Sequence, residues 1–509
     1  MIKFRQLGWL RQLALGLGCL LLVIGLNIFP VASQNANKPF KVATEPAFPP
    51  FEFNAEEGSG LQGFDIDLMN AIGEEAELKI QWISLPFDGI IPALQSQSVQ
   101  AAISGMTITA ERAQSISFSR PYFKAGLAIA VRDDTNDIKS FEDLKGKKIA
   151  VQIGTTGAQE AAKIEGAKIS TFNDAPLALQ ELVNGKVDAV VNDGPVTLYA
   201  IKKAGLQGVK IVGELVTEEY YGIALPKNSP DVEKINGAIE TLLSTGKYQA
   251  IYEKWFGTEA PKLPLVAPAL EQAAASGEVQ APGLNWGKIF YNLIFIGVPW
   301  TLALTVCSFL IGLIGGTLAA LALISPYKPL KWICRFYVEF FRGTPMLVQL
   351  FIIYFGLPAL LRGLGIPFEI DKFAAAIIAL SLNVAAYLAE IMRGGIESVD
   401  RGQWEACQSL GMNPAQTMQD VILPQAFRRM LPPLGNEFIT LVKDTSLAAV
   451  IGFEELFRQG QLMVATTYKA FEIYIAVALV YLVLTTLSSV VFKWLEAFMD
   501  PIGRSKKKA

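Results

Sequence analysis

Eleven residues in the first half of the chain are of types that suit a bound zwitterion: Glu45, Phe48, Phe87, Ser104, Gly105, Thr107, Arg112, Gln152, Thr155, Thr156 and Asp193. A carboxylate calls for a guanidinium and for backbone N–H groups at a helix start. Arg112 and the Thr155-Thr156-Gly157 turn offer these. An ammonium calls for a carboxylate and neutral acceptors, which Asp193, Ser104 and Thr107 provide. Phe48 and Phe87 suit the two faces of an aliphatic side chain, and Glu45 suits a polar or cationic tip. Taken singly, each has an ordinary reading. Arg112 fits a surface ion pair, the two phenylalanines fit a core, and Thr155–Gly157 fits a strand-to-helix turn. The weight lies in the combination.

A second polar stretch, Glu405 to Pro424 (EACQSLGMNPAQTMQDVILP), lies between long apolar segments. Gly411 suits a helix C-terminus, and Asn413-Pro414 suits the cap and first position of the next helix. Pro424 is expected to stop that second helix. Asp400 and Gln403 are spaced like a capping box. The expectation is a short helix, a turn and a short helix that dock something outside the lipid.

Both stretches need elements to hold them. From Phe40, short strands alternate with amphipathic helices: KVAT, a helix from Asp65 to Ala76, KIQWISL, a helix from Ile90, AAISGM, AGLAIAVRD, Lys148 to Gln152, a helix from Gly157, VDAVVND, YGIALP, then helices from Asp231 to Phe256. Such alternation predicts parallel sheets with helices on both faces, and the span suits two lobes. AGLAIAV and YGIALP are the candidate crossings between them. The candidate ligand residues fall at C-terminal strand ends, where open α/β sheets bind ligands.

The chain of 509 residues carries a net charge of −3 and is too long for one core. That charge argues neither for nor against a nucleic-acid partner, and none is expected. Histidine is absent, which excludes imidazole catalysis and His-ligated metals. The four cysteines, Cys19, Cys307, Cys334 and Cys407, lack metal-ligand spacing, and none falls in the mixed α/β half. Lys3, Arg5 and Arg11, an apolar run from Leu13 to Phe29 and Val31-Ala32-Ser33 read as a signal peptide over 1–33, or as an uncleaved anchor. The two-lobed α/β part is placed at 34–258. A Pro- and Ala-rich linker follows at 259–286, then a membrane part at 287–498 and a basic tail at 499–509.

Candidate spans are Asn292–Ile324, Pro345–Leu361, Phe373–Ile391, Leu434–Gly452 and Phe471–Phe492. The fourth carries Glu437, Lys443 and Asp444. Lys328, Lys331, Arg335 and Arg342 follow the first span. Arg393, Arg401, Arg428 and Arg429 follow the third, and Lys493 and Arg504 follow the last. The positive-inside rule puts these segments, with 400–424, in the cytoplasm and the lobes outside. Asn383, Glu390 and Glu472 also fall in or beside spans and are candidates for a translocation path.

Residues 40–257 resemble an extracytoplasmic solute-binding protein of the polar amino acid class. The resemblance is carried by ATEPAFPPFEF, GFDIDL, DGIIPAL, GMTITAER, FSRPY, VNDGP and YEKWFG. It implies a type II periplasmic-binding-protein fold, two α/β lobes that close on an amino acid. By motif, Arg112 would bind the α-carboxylate and Asp193 the α-amino group. Glu45, Phe48 and Phe87 would line the side-chain pocket with Gln152 nearby. Glu45 stands where many members have Asp, and an acid there disfavours glutamate and aspartate. Residues 287–498 resemble an all-α amino acid ABC importer permease of about five helices, through 337–358, 379–412 and 422–452. The stretch 405–424 fits that family's EAA-x3-G-x9-I-x-LP signature, with Cys407 for the second Ala and Val421 for the Ile. The signature implies that Glu405, Ala406, Gly411, Leu423 and Pro424 contact an ATPase subunit.

No Walker A sequence occurs, so ATP and Mg are expected on a separate ATPase chain and no cofactor or metal on this one. Five spans are few for a pathway, which implies a second permease copy, most simply a homodimer in the bilayer. The reading is the binding and membrane subunit of an importer for glutamine or the basic amino acids arginine and lysine, localised to the bacterial inner membrane. The alternative is a ligand-gated channel on the same lobes; it is disfavoured because every span follows the complete lobes.

Overall fold

The computed structural model describes residues 39–55, 60–213, 215–276, 284–366, 368 and 370–499. The signal segment 1–33, nearly all of the basic tail and the middle of the linker lie outside the described residues.

The first lobe is a five-stranded sheet in the order Ile80–Ser84, Phe40–Thr44, Ala101–Ala102, Glu219–Pro226, Ile116–Ala125. The second is ordered Lys168–Phe172, Lys148–Gln152, Ala189–Asp193, Leu127–Arg132, Val209–Val212. Each sheet is parallel on one side and antiparallel on the other, where all-parallel sheets were expected. The connectivity explains the difference. The chain leaves lobe 1 along Ile116–Ala125, turns at Gly126, and returns from Val209–Val212 into Glu219–Pro226. AGLAIAV therefore holds the first crossing at its start, and YGIALP lies just after the second.

Lobe 1 is filled by aromatics that the PAFPPFEF stretch brings inward. The Phe51 ring meets Phe123 edge-on at 4.9 Å between centroids, and Phe64 meets Phe256 at 5.3 Å. Three short strands, Ala47–Phe48, Glu52–Asn54 and Leu61–Gln62, form a ribbon that aims this stretch at the cleft. The linker is more ordered than its composition predicts. It contains the helix Pro268–Ser276, and Ala267 is buried against Ile108 and Tyr220 of lobe 1.

Among the described residues four helices are long and apolar enough to cross a membrane: Trp286–Ile324, Met346–Gly363, Lys372–Glu397 and Ala470–Met499. They match four of the five expected spans. The remaining one, Leu434–Gly452, is not among them. Its residues form the end of an amphipathic helix, Leu423–Asp444, and a 3-10 turn, Thr445–Ile451. Glu437, Lys443 and Asp444 keep its hydropathy too low. The first and third long helices meet closely: a Cβ on Gly312 would lie 2.3 Å from Val384 Cγ1, and one on Gly316 2.8 Å from Leu388 Cβ.

In the polar stretch, Arg401–Ser409 is a helix ended by left-handed Gly411 (φ 73°). The next helix starts at Pro414, as expected, but two other expectations fail. Asp400 caps through the N–H of Gly402, and the reciprocal capping box is instead Asn413 with Gln416. Pro424 does not stop the helix. A π-helical turn, Thr417–Ile422, leads into Leu423–Asp444, and Pro424 sits in that helix's first turn, where a missing N–H costs least.

Candidate functional site

The cleft is built at the strand ends of both lobes. Thr44 ends the first strand, and Glu45 follows it into the cleft, buried. Its Oε2 accepts from Gln152 Nε2 of lobe 2 at 2.6 Å, and its Oε1 from the Phe87 N–H at 3.3 Å. Arg112, about 1% exposed, sits on the short helix Ala110–Ser115, which Thr109 caps. It donates through Nη1 to the Thr107 carbonyl (2.7 Å) and through Nη2 to the Gly154 carbonyl of lobe 2 (2.9 Å). The Phe87 ring lies 5.4 Å from its guanidinium carbon.

Asp193 ends the strand Ala189–Asp193 and accepts from the Tyr221 hydroxyl at 2.8 Å. Thr156 begins the helix Thr156–Ala161 and donates to Glu219 Oε2 at 2.9 Å. Thr107 of lobe 1 donates to the same oxygen at 2.6 Å. Thr155 spends its hydroxyl locally, accepting from the Ala158 N–H as N-cap and donating to the Gln152 carbonyl.

Ser104 and Gly105 are held from behind by two buried acids. Ser104 donates to Glu52 Oε1 (2.6 Å), and the Gly105 N–H donates to Asp65 Oδ2 (2.9 Å). Gly105 has φ +49°, and a Cβ there would lie 2.6 Å from Phe48 Cε1, so the loop requires glycine. Phe48 belongs to the lobe 1 core and covers this loop.

All eleven candidates thus gather at one cleft, with Thr155 and Phe48 acting on its frame. Sequence reasoning missed Glu219 and Tyr221. The only available signal was the pair Glu218-Glu219 opening an apolar strand beside an expected crossing. Burial, with the anions Asp174 and Asp88 nearby, pushes the Glu45 carboxyl up to about 8, against the pull of its Gln152 bond. Burial and the Glu219 carboxylate push Asp193 up to about 7, against its bond from Tyr221 and the charge of Arg112. The cleft therefore holds three carboxyl groups and one guanidinium.

Residues 40–258 match the family of bacterial extracellular solute-binding proteins, family 3. Residues 312–501 match the binding-protein-dependent transport system inner membrane component. The chain is 44% identical over 203 residues to the arginine transport system permease protein ArtQ of Bacillus subtilis (strain 168), covering 40% of this chain and 90% of ArtQ. It is 42% identical over 217 residues to the glutamine transport system permease protein GlnP of Escherichia coli (strain K12), covering 42% of this chain and 97% of GlnP. Among solved structures, an ancestral arginine-binding protein bound to arginine is similar at 48% identity and TM-score 0.43, over 44% of this chain and 100% of that one.

A two-lobed receptor followed by long apolar helices defines a transport protein that carries its own receptor. The chain belongs to the inner-membrane permease family of binding-protein-dependent transport systems, with a family 3 solute-binding domain fused ahead of the permease. It is an amino acid importer subunit of the inner membrane, and its role is transport rather than enzymatic turnover. The channel alternative falls with that match.

Proposed function

We propose that the cleft binds an L-amino acid with a cationic or amide tip, arginine, lysine or glutamine, for ATP-driven import. Arg112 takes the α-carboxylate, with N–H groups of the Thr155–Gly157 turn. Asp193 takes the α-ammonium, with Glu219 beside it and with acceptors from Ser104 and Thr107. Glu45 and Gln152 meet the tip, and Phe48 and Phe87 flank the aliphatic stem. The observation that carries this reading is the excess of carboxyl groups over guanidinium in a buried cleft whose two halves bond across it at Glu45–Gln152, Arg112–Gly154 and Thr107–Glu219–Thr156. The arginine and glutamine permeases similar to the second half agree with it.

The receptor stands on the extracytoplasmic side. Its tether keeps it near the gate at an effective concentration on the order of millimolar. The permease pairs with a second copy across a two-fold axis. Glu405, Ala406, Gly411, Leu423 and Pro424 present a cytoplasmic contact to a separate ATPase subunit, which holds ATP and Mg; this chain binds no cofactor. Calorimetric titration of the full chain in lipid nanodiscs with the twenty amino acids tests the specificity. Binding of arginine, lysine or glutamine is expected. Tight glutamate binding with none of these would overturn it.

A further inference from the structure

Between the Thr445–Ile451 turn and the last long helix, the permease half carries a short helix, Leu456–Thr467, that touches both lobes of the receptor. Glu455 starts it, accepting from the N–H groups of Phe457 and Arg458. Arg458 is fully buried. Its Nη2 donates to Thr171 Oγ1 and its Nη1 to Asn173 Oδ1, both at 2.8 Å and both in lobe 2. Burial pushes its guanidinium down to about 10, and Asp88 of lobe 1 is the foremost charge holding it up.

The other end of the helix reaches lobe 1. Tyr468, which ends it with φ 57°, is buried in the cluster of Phe87, Ile90, Leu94 and Met106. Near that end Ala465 meets the mouth of the cleft. A Cβ built on Gly154 of lobe 2 would lie 3.8 Å from Ala465 Cβ and 3.7 Å from Asp88 Cβ of lobe 1. A chain of hydrogen bonds leads from the pocket to the helix. Gln152 Nε2 donates both to Glu45 and to the Asn173 carbonyl, and the Asn173 side chain accepts from Arg458.

Ten residues of helix, about 15 Å at 1.5 Å per residue, separate Arg458 from Tyr468. A rigid rod of that length keeps both seats only at one spacing of the lobes. Hinging where the chain crosses between the lobes, at Ala125–Leu127 and just before Glu219, changes that spacing. Lobe 2 has further holds on the permease: Tyr354 donates to Glu181 at 2.7 Å, and Arg362 donates to the Val183 and Asn184 carbonyls at 3.0 and 2.9 Å. Lobe 2 thus has anchors on the permease beyond this helix.

We infer that Leu456–Thr467 is the permease element that senses receptor closure, with Arg458 seated on lobe 2 and Tyr468 received by lobe 1 only when the lobes are shut. This inference rests on the reading of the cleft as an amino acid receptor. Arg458 and Tyr468 are positioning residues that touch no ligand.

The test uses the full chain carrying Ala465→Cys in nanodiscs, with maleimide labelling of that segment followed by peptide mass. L-arginine and L-glutamine are the probes, and their binding to the same sample is measured by titration. The expected result is at least tenfold slower labelling of position 465 when the bound probe is saturating. Adding Arg458→Ala should abolish that protection while the full binding stoichiometry remains, and Arg458→Lys should restore part of it. Equal labelling rates with and without a probe that binds would overturn the inference and leave the receptor reading standing. If neither probe binds by titration, the receptor reading fails and the inference falls with it.

Discussion

In the cleft, Arg112, Gln152 and Thr156 complete hydrogen bonds from one lobe to the other, and every acid is buried. In the stretch 401–424 only Cys407, Thr417 and Ile422 are buried, while Glu405, Ala406, Gly411, Leu423 and Pro424 all face outward. Leu410 is 80% exposed at the turn between its two helices. Glu405 has an exposed Arg401 at 3.5 Å, an i,i+4 pair worth only a few tenths of a kcal/mol. The first region bonds its two lobes together within the chain, keeps Arg112 Nε and Gln152 Oε1 buried without partners, and opens only by giving those cross-lobe bonds up. The second is capped at Asn413 and Gly411, and it packs on the permease only through inner residues such as Ile422, Trp404 and Met418. A receptor cleft must complete itself around a ligand, whereas a coupling surface must wait for another chain.

The largest expected effect breaks the first region. Arg112→Ala removes the cleft's only guanidinium and leaves buried carbonyls without donors. Truncating one partner of a buried, hydrogen-bonded charge pair costs roughly 2–5 kcal/mol, so arginine affinity should fall by about 30-fold or more in titration of the full chain. Arg112→Lys should rescue little, because one ammonium cannot span both carbonyls and a carboxylate.

The second region breaks separately. Glu405→Lys should leave amino acid affinity unchanged within twofold and should lower co-purification of the ATPase subunit by roughly tenfold, in the range of a contact hot spot. A matching loss of amino acid binding would show that the two regions are not separable.

A smaller effect sharpens the chemistry of the cleft. The Glu45 carboxyl is raised from 4.5 to about 8. The stability tied to its protonated form is therefore fully present below pH 4.5 and is lost as pH rises through about 8. A cationic tip needs the carboxylate and reverses that loss. Arginine affinity should therefore gain on glutamine affinity by up to about tenfold per pH unit between pH 6 and 8. Asp193 meets both ligands alike and cancels in the ratio. Glu45→Gln should flatten the ratio, and a ratio already flat in the natural chain would contradict the role given to Glu45. Smaller still, Gly105→Ala forces a left-handed residue against Phe48. At about 1–2 kcal/mol, it should lower the receptor's Tm by roughly 2–8 °C in a thermal scan.

Much of this was legible because the relevant signals are local. Gly411, Asn413 and Pro414 announce their turn within a few residues, and the cleft residues mark strand ends spaced along an alternating pattern. Misreadings arose where a local rule met a longer-range arrangement. Pro424 would stop a regular helix, but the π turn before it absorbs the misfit. The linker lacks a pattern, but lobe 1 offers Ala267 a seat. Glu219 became a site residue only because both chain crossings bring it between Thr107 and Thr156. Arg458 meets Asn173 across 285 positions of sequence, a distance over which no spacing rule operates.

The most direct test of a receptor and its permease in one ATP-coupled chain is uptake of labelled arginine. Proteoliposomes would hold the full chain with its co-purified ATPase subunit, with ATP on the side of Glu405. The account predicts accumulation against a gradient that requires ATP and is lost alike in Arg112→Ala and Glu405→Lys. Arginine flux that merely equilibrates, or that survives in either variant, would contradict it.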